Sequence, residues 1–529
     1  FINVPVRYRK SPWTKRAPAA NSAVKPARYA DIMQPHAATG SDIRPPRQPA
    51  GVAVLRATEP VMWPLPATLL CLLVLMAITA CGDGPCNRPY PAKDAGSNVL
   101  YSSFSSRPNH LDPAQSYSSN EVTFTGQIYE PPLQYHYLKR PYTLIPSSAV
   151  RVPEPLYLDA TGKRLPADAA TEDIAQSVYE IEIQPGILYQ PHPAFARDTE
   201  DRPRYLSLGA KDLTAVHALD DFEHTGTREL VAADYVYQIK RLAHSRNHSP
   251  IYRLLKDNLL GFGELSEQID AEEKRLQQET GEETPWVDLR RFDFEGAVVL
   301  DRYSFRIRLK QNYPQFRYWL AMNFFAPIPW EADRFYHLPG LEESNITLHW
   351  YPVGTGPYYL AENNPNLRMV LRRNPNFGGE SYPSEGEPGD AEAGLLEDAG
   401  KALPFIDTAV YSLDKESIPR WNKFLQGYYD ISGIGSDSFD QAVQIGAAGQ
   451  AELTDMMREK QIRLQTSVST SIFYFGFNML DAVVGGDSER ARYLRQAISI
   501  ALDYEEFISI FRNGRGEIAH GPLPMGIYG

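Results

Sequence analysis

Forty-three prolines punctuate this chain of 529 residues, and its only three cysteines, Cys71, Cys81 and Cys86, all lie near one end. Proline fixes one backbone dihedral and removes a hydrogen-bond donor, so at this density it ends helices and strands repeatedly. That argues against a mainly helical bundle and for many fixed turns. The length calls for two or three cores. With no cysteine beyond Cys86, the folded body has neither a disulfide framework nor a thiolate zinc site. A net charge of −12 argues against a nucleic-acid partner, because a phosphate backbone repels an acidic surface.

Charge is uneven along the chain. Residues 1–60 carry ten Lys or Arg against three Asp or Glu, with no apolar period. This stretch cannot bury a core and reads as a disordered or non-native leader, either translated upstream sequence or an extended leader peptide. Met33 and Met62 are alternative starts. Residues 61–81 read as a lipoprotein signal peptide. Leu65 to Ala80 is too short for a comfortable membrane span and right for a signal core. It ends in Ile78-Thr79-Ala80-Cys81, which resembles the bacterial lipobox, and the resemblance implies lipidation at Cys81. An uncleaved anchor helix is the alternative. Residues 82–96 read as a tether.

The body alternates strand and helix patterns, which means an α/β or α+β fold. Val99–Phe104 reads as a strand, followed by a helix that Ser119 or Asn120 caps, with Val122, Thr125, Ile128 and Tyr129 on one face. Val178–Ile183 alternates as a strand. "ELVAADYVYQIKRLAHS" has the period of an amphipathic helix, with Val236, Ile239 and Leu242 on one face. "ELSEQIDAEEKRLQQETGEE" reads as an exposed helix, and 297–309 as a hairpin turning at Asp301-Arg302. "YWLAMNFFAPIPWEADRFY" reads as one buried helix ended by Pro327 and Pro329, and 382–404 as an acidic loop. A strand is expected at "FIDTAVYSL", then a helix stopped at Gly427 with a strand after it. Two helices are expected from Ser488.

Few residues suggest chemistry. Gly354-Thr355-Gly356 is no phosphate loop: Pro357 and a strand-like run follow, where a phosphate site needs a helix N-terminus and usually a lysine. It reads as a structural turn. His244 and His248 have the spacing of a metal pair, but no third ligand is set by a motif and the segment reads as a loop. No Gly-x-Ser-x-Gly elbow is present. Asp430 and Asp503 sit at element edges, where capping is the common role of a carboxylate. The chain therefore reads as a binder and not an enzyme, with no cofactor or metal.

The order of six segments resembles the extracytoplasmic solute-binding proteins of the peptide/nickel class, family 5, which are the receptor subunits of ABC importers. They are "LDPAQSYSSNEVTFTGQIYEPPLQY", "ELVAADYVYQIKRL", "YSFRIRLKQNYPQF", "PVGTGPYYL…RRNPNF", "PFIDTAVYSLDKESIPRWNKFLQGYYDI" and "RARYLRQAISIALDYEEF". The resemblance implies an α/β fold of the periplasmic binding protein type II-like class, two lobes closing on a ligand. Lobe I would hold 97–130 and 321–470, a smaller inserted domain 131–320, and lobe II would begin at 471 and be incomplete. Relatives continue well beyond "GPLPMGIYG", and the acidic residue that holds a peptide's amino group would lie in that further part. The implied function is capture of oligopeptides for import by a periplasmic, lipid-anchored monomer that contacts a permease and works with an ATPase subunit. A receptor of the same fold for a nickel complex or opine-like solute is one alternative, and a lipoprotein hydrolase or peptidoglycan-handling protein another. In the family's terms Tyr117, Ser118, Ser119 and Asn120 lie on a loop that borders the cleft, "SIFYFGFNML" is a strand approaching the hinge, and its residues Phe473, Tyr474 and Phe475 are expected to pack ligand side chains. The competing reading makes Asn120 a helix cap and the aromatics core.

Overall fold

The computed structural model describes residues 90, 96–446, 451–524 and 527. The expectations for the leader, the signal segment with Cys81 and nearly all of the tether lie outside the described residues. No helix among the described residues is long and apolar enough to cross a membrane.

In chain order the elements are β1 (Val99–Phe104), α1 (Ser119–Ile128), β2 (Leu133–Tyr135), β3 (Leu144–Pro146), β4 (Leu156–Leu158), β5 (Gln176–Glu182), α2 (Ala232–Ala243), α3 (Tyr252–Asn258) and α4 (Phe262–Thr280). There follow β6 (Ala297–Val299), β7 (Ser304–Leu309), α5 (Phe316–Trp319), α6 (Trp330–Tyr336), β8 (Tyr358–Asn364), β9 (Arg368–Arg373) and β10 (Thr408–Leu413). The last are α7 (Ser417–Leu425), α8 (Phe439–Ala442), β11 (Val443–Ile445), β12 (Ala451–Leu453), α9 (Asp455–Glu459), α10 (Glu489–Ala501) and α11 (Tyr504–Arg512).

Two four-stranded sheets organise the body. One has the order β1-β10-β9-β8 and the other β4-β5-β7-β6. In the first, β1 runs parallel to β10, while β9 is antiparallel to both β10 and β8. Strands β1, β10 and β8 therefore share a direction. The second sheet is antiparallel throughout. In β7 the inward residues Phe305, Ile307 and Leu309 are buried while the serine and arginines between them are half-exposed, the alternation expected of a one-sided sheet.

The α2 helix keeps its amphipathic pattern but is buried on nearly every side. Every residue except Ala233 is buried, Asp234, Lys240 and Arg241 included. Such charges stay inside only when paired. Arg241 Nη2 lies 2.6 Å from Asp112 Oδ2 and its Nε lies 3.0 Å from Asp333 Oδ1. Arg228 bridges Asp234 at 2.6 Å and Glu331 at 2.9 Å. One apolar core runs from Phe104 to Tyr411, and a small satellite forms around Trp421, Ala442, Val443 and Met457.

Four expectations need correction. The buried helix expected ahead of Pro327 and Pro329 is only the single turn α5 and a 3-10 turn at Asn323–Phe325, and α6 starts after the prolines. The prolines separate the two, as a missing donor and a fixed φ must. The acidic helix α4 is not wholly exposed, since Phe262, Leu265, Ser266 and Ile269 bury its first turns. No strand follows α7: Gly427, at φ 82°, ends the helix as expected, but 428–434 are irregular. Residues 462–478 carry no strand either; alternation alone cannot make one without a partner to bond.

Candidate functional site

The loop from 105 to 118 leaves the C-terminal end of β1 and enters α1. Ser118 is the N-cap, not Ser119 or Asn120. Glu121, buried at N3 of the helix, holds the loop in shape. One of its oxygens accepts from the backbone N–H groups of Asn109 and His110 at 3.1 and 3.0 Å, the other from Tyr117 and Ser118 at 3.1 and 3.2 Å. Burial opposes the charge on Glu121, but these donors outweigh it and hold the carboxyl below its ordinary value. The signal was present: Ser118-x-x-Glu121 is a capping-box pattern.

On this frame Tyr117 is 68% exposed and Ser119 is exposed. The Ser118 hydroxyl is buried against the Glu121 carboxylate and helps hold its charge. Asn120 donates from Nδ2 to the Arg107 carbonyl at 2.6 Å, so it clasps the loop instead of capping the helix. Tyr117 and Ser118 end the loop, and Ser119 and Asn120 form the first turn of α1, so the expected four-residue loop is half helix. Its neighbour Asp112 forms the buried pair with Arg241. Burial raises the Asp112 carboxyl, and the guanidinium more than offsets that, leaving it lowered.

Phe473, Tyr474 and Phe475 lie elsewhere, 79%, 84% and 62% exposed. They are not core. Phe475 meets Phe507 edge-on at 6.4 Å between centroids, and Arg512 lies 5.0 Å from the Phe473 ring. No hydrogen bond or ring contact among the described residues joins them to the 117–120 segment.

The glycine turn has a packing role. Gly356 donates its N–H to the Ile128 carbonyl at 2.9 Å. A Cβ at Gly354 would stand 2.0 Å from that same carbonyl oxygen, and one at Gly356 2.7 Å from it. Gln190 grips the turn from the other side, accepting from Gly354 N–H at 3.1 Å. The two glycines let β8 start flush against the end of α1. Glu130, just past α1, is pushed up to about 7 by burial, with Thr355 opposing and the Glu380 carboxylate adding to the rise.

Asp430 and Asp503 act as edge carboxylates. Asp430 accepts from the Tyr101 N–H at 2.7 Å, and Asp503 caps α11 by accepting from Glu506 N–H at 2.9 Å. His248 is exposed in a left-handed turn and shares no face with buried His244. His244 instead meets Asp270 and Glu273, their ligand atoms within 4.8 Å of one another. Arg246 already donates to Glu273 at 2.8 Å, and Ser245 to Asp270 at 2.9 Å. Those donors satisfy the carboxylates, so the cluster closes as an ion-pair network.

Similarity to known proteins adds to this geometry. No curated protein matches the chain in sequence. Among solved structures, it resembles the murein tripeptide binding protein MppA of Escherichia coli at 14% identity and a TM-score of 0.49, over 81% of this chain and 60% of that one. The peptide-bound OppA of Listeria monocytogenes aligns at 14% identity and 0.48, over 81% and 61%. DppA of Helicobacter pylori, an ABC transporter-associated periplasmic binding protein in complex with a peptide, aligns at 15% and 0.47, over 82% and 62%. The chain spans about half to three fifths of the length of the solved structures it matches. A family model described as bacterial extracellular solute-binding proteins, family 5, matches residues 224–529. That is more than half of the chain, which therefore belongs to the bacterial extracellular solute-binding proteins of family 5.

Proposed function

We propose that this protein captures oligopeptides outside the cytoplasmic membrane and delivers them to an ABC importer, contacting the permease directly while an ATPase subunit drives transport. The observation that carries this reading is the family match over 224–529, a family of solute binders and not of enzymes. The exposed junction of loop and helix at 117–120 supports it: a peptide needs partners indifferent to side-chain identity, and the exposed Ser119 hydroxyl and the Asn120 side chain are polar groups of that kind. Lobe I is proposed to comprise 97–130 and 321–470, the inserted domain 131–320, and lobe II the residues from 471. The division is supported by one sheet drawn from 99–104 and 358–413 and another drawn wholly from 156–309. Phe473, Tyr474 and Phe475 are proposed to meet ligand side chains when the lobes close.

The receptor is proposed to be a monomer anchored through lipid on Cys81. One acyl chain binds a membrane only marginally and several hold firmly, so a diacylglyceryl group is the effective part of such an anchor. Labelling cells with a radioactive fatty acid should tag the wild-type protein and not Cys81→Ser; label retained on the variant would refute the anchor.

Replacing Ser119 and Asn120 together by Ala should weaken peptide binding about tenfold, or about 1–2 kcal/mol for the lost hydrogen bonds. Melting temperature without peptide should fall modestly, since Asn120 also clasps the loop through the Arg107 carbonyl. A fall in melting temperature with unchanged affinity per folded molecule would make the pair structural only.

A further inference from the structure

The loop from β1 into α1 turns both of its acids inward. Asp112 is buried and paired with Arg241 at 2.6 Å. Glu121 is buried, and its two oxygens accept from four backbone N–H groups. Between 105 and 121 one charged side chain is left at the surface, that of Arg107. Acids outnumber lysines and arginines by 65 to 53 along the chain, so a surface arginine ordinarily meets one. Arg107 forms no ion pair among the described residues. Glu362, next to Asn363 on β8, is already taken by Arg368 at 2.7 Å.

The place of this cation is fixed through its backbone. The Arg107 carbonyl accepts from Asn120 Nδ2 at 2.6 Å, which holds the residue against the first turn of α1, the turn that also carries exposed Ser119. Arg107 borders a cavity of about 100 Å³, with Pro108 and Trp350 among its other walls. A cavity of about 150 Å³ holds benzene, so this one takes roughly four heavy atoms, the size of an aspartate side chain or the end of a glutamate. A guanidinium pairs with a carboxylate through two parallel N–H···O bonds. An anion brought here therefore meets a cation, while the acids of the loop face away.

A peptide carries carboxylates in two places, its acidic side chains and its C-terminus, and both offer the same anion. The inference rests on the receptor reading above and adds a substrate preference to it. We propose that the loop between β1 and α1 selects peptides by a carboxylate that pairs with Arg107.

The test is calorimetric titration of the full chain with Ala-Glu-Ala, Ala-Gln-Ala and Ala-Lys-Ala, each with a free and with an amidated C-terminus. Removing the carboxylate that pairs should weaken binding about fivefold, the scale of an ion pair that water still reaches. A loss on replacing Glu by Gln in the peptide identifies the side chain as its source, and a loss on amidation identifies the C-terminus. That loss should vanish in Arg107→Gln, persist in Arg107→Lys and shrink at high salt. The Arg107 carbonyl, and not its side chain, holds the loop, so both variants should melt as the wild type does. Equal affinity for all the peptides, or a preference that survives Arg107→Gln, would overturn the proposal and leave the receptor reading standing. Binding of none of them by the wild type would overturn the receptor reading and the proposal with it.

Discussion

Arg241 shows how much of this molecule depends on single side chains. It carries the only positive charge facing both Asp112 and Asp333 in the contacts described, and Asp333 also accepts from the Tyr237 hydroxyl at 2.7 Å and the Trp286 indole at 2.9 Å. Burial works against the Asp333 charge, but Arg241 and the two donors bring the carboxyl down to about 2. Arg241→Met strands two buried carboxylates, and removing one partner of a buried pair costs about 3–5 kcal/mol. Urea unfolding should show that loss; a change below about 1 kcal/mol would mean the pair is not buried as described. The pH dependence has a definite sign. A depressed carboxyl stabilises the fold above the unfolded value near 4 and loses that contribution as pH falls toward 2. Wild type should therefore lose stability across that acid window more steeply than Arg241→Met. None of this was legible beforehand. Asp112 appeared only inside the first of the six family-like segments, with no role assigned, because a sequence shows a charge and not the distant helix that pairs with it.

At the scale of elements, legibility followed the range of the forces. The hairpin of β6 and β7 and the helices α2, α10 and α11 were readable because their patterns are local. The run ahead of Pro327 was read as a continuous helix, although it holds only α5 and a 3-10 turn, because an apolar stretch without a polar face has no period to reveal its breaks. "SIFYFGFNML" alternates like a strand, yet a strand exists only through partners far away in the chain. The site shows the same divide. Tyr117 and Ser118 lie on the loop, while Ser119 and Asn120 already belong to the first turn of α1, and Glu121, which shapes the loop, went unnoticed. The glycine turn was read as structural, and its packing against the end of α1 gives the reason. Gly354→Ala should cost about 1–3 kcal/mol through overpacking against the Ile128 carbonyl. Gly379→Ala, where an added Cβ meets nothing within 4 Å, should change the urea midpoint little. Equal effects at both positions would contradict the contact.

For the whole molecule, membership in family 5 carries the fold class, α/β and periplasmic binding protein type II-like, and the two sheets with their shared core are the body that presents the 117–120 segment. The central claim is that this body binds peptides and leaves them intact. Its most direct test is equilibrium dialysis of the full chain against a mixture of tri- to pentapeptides, followed by mass spectrometry of what stays bound. The account predicts intact peptides retained at up to one per chain, with a rise in melting temperature by mass action. Retention of no peptide, or recovery of cleaved products whose formation depends on the protein, would contradict it.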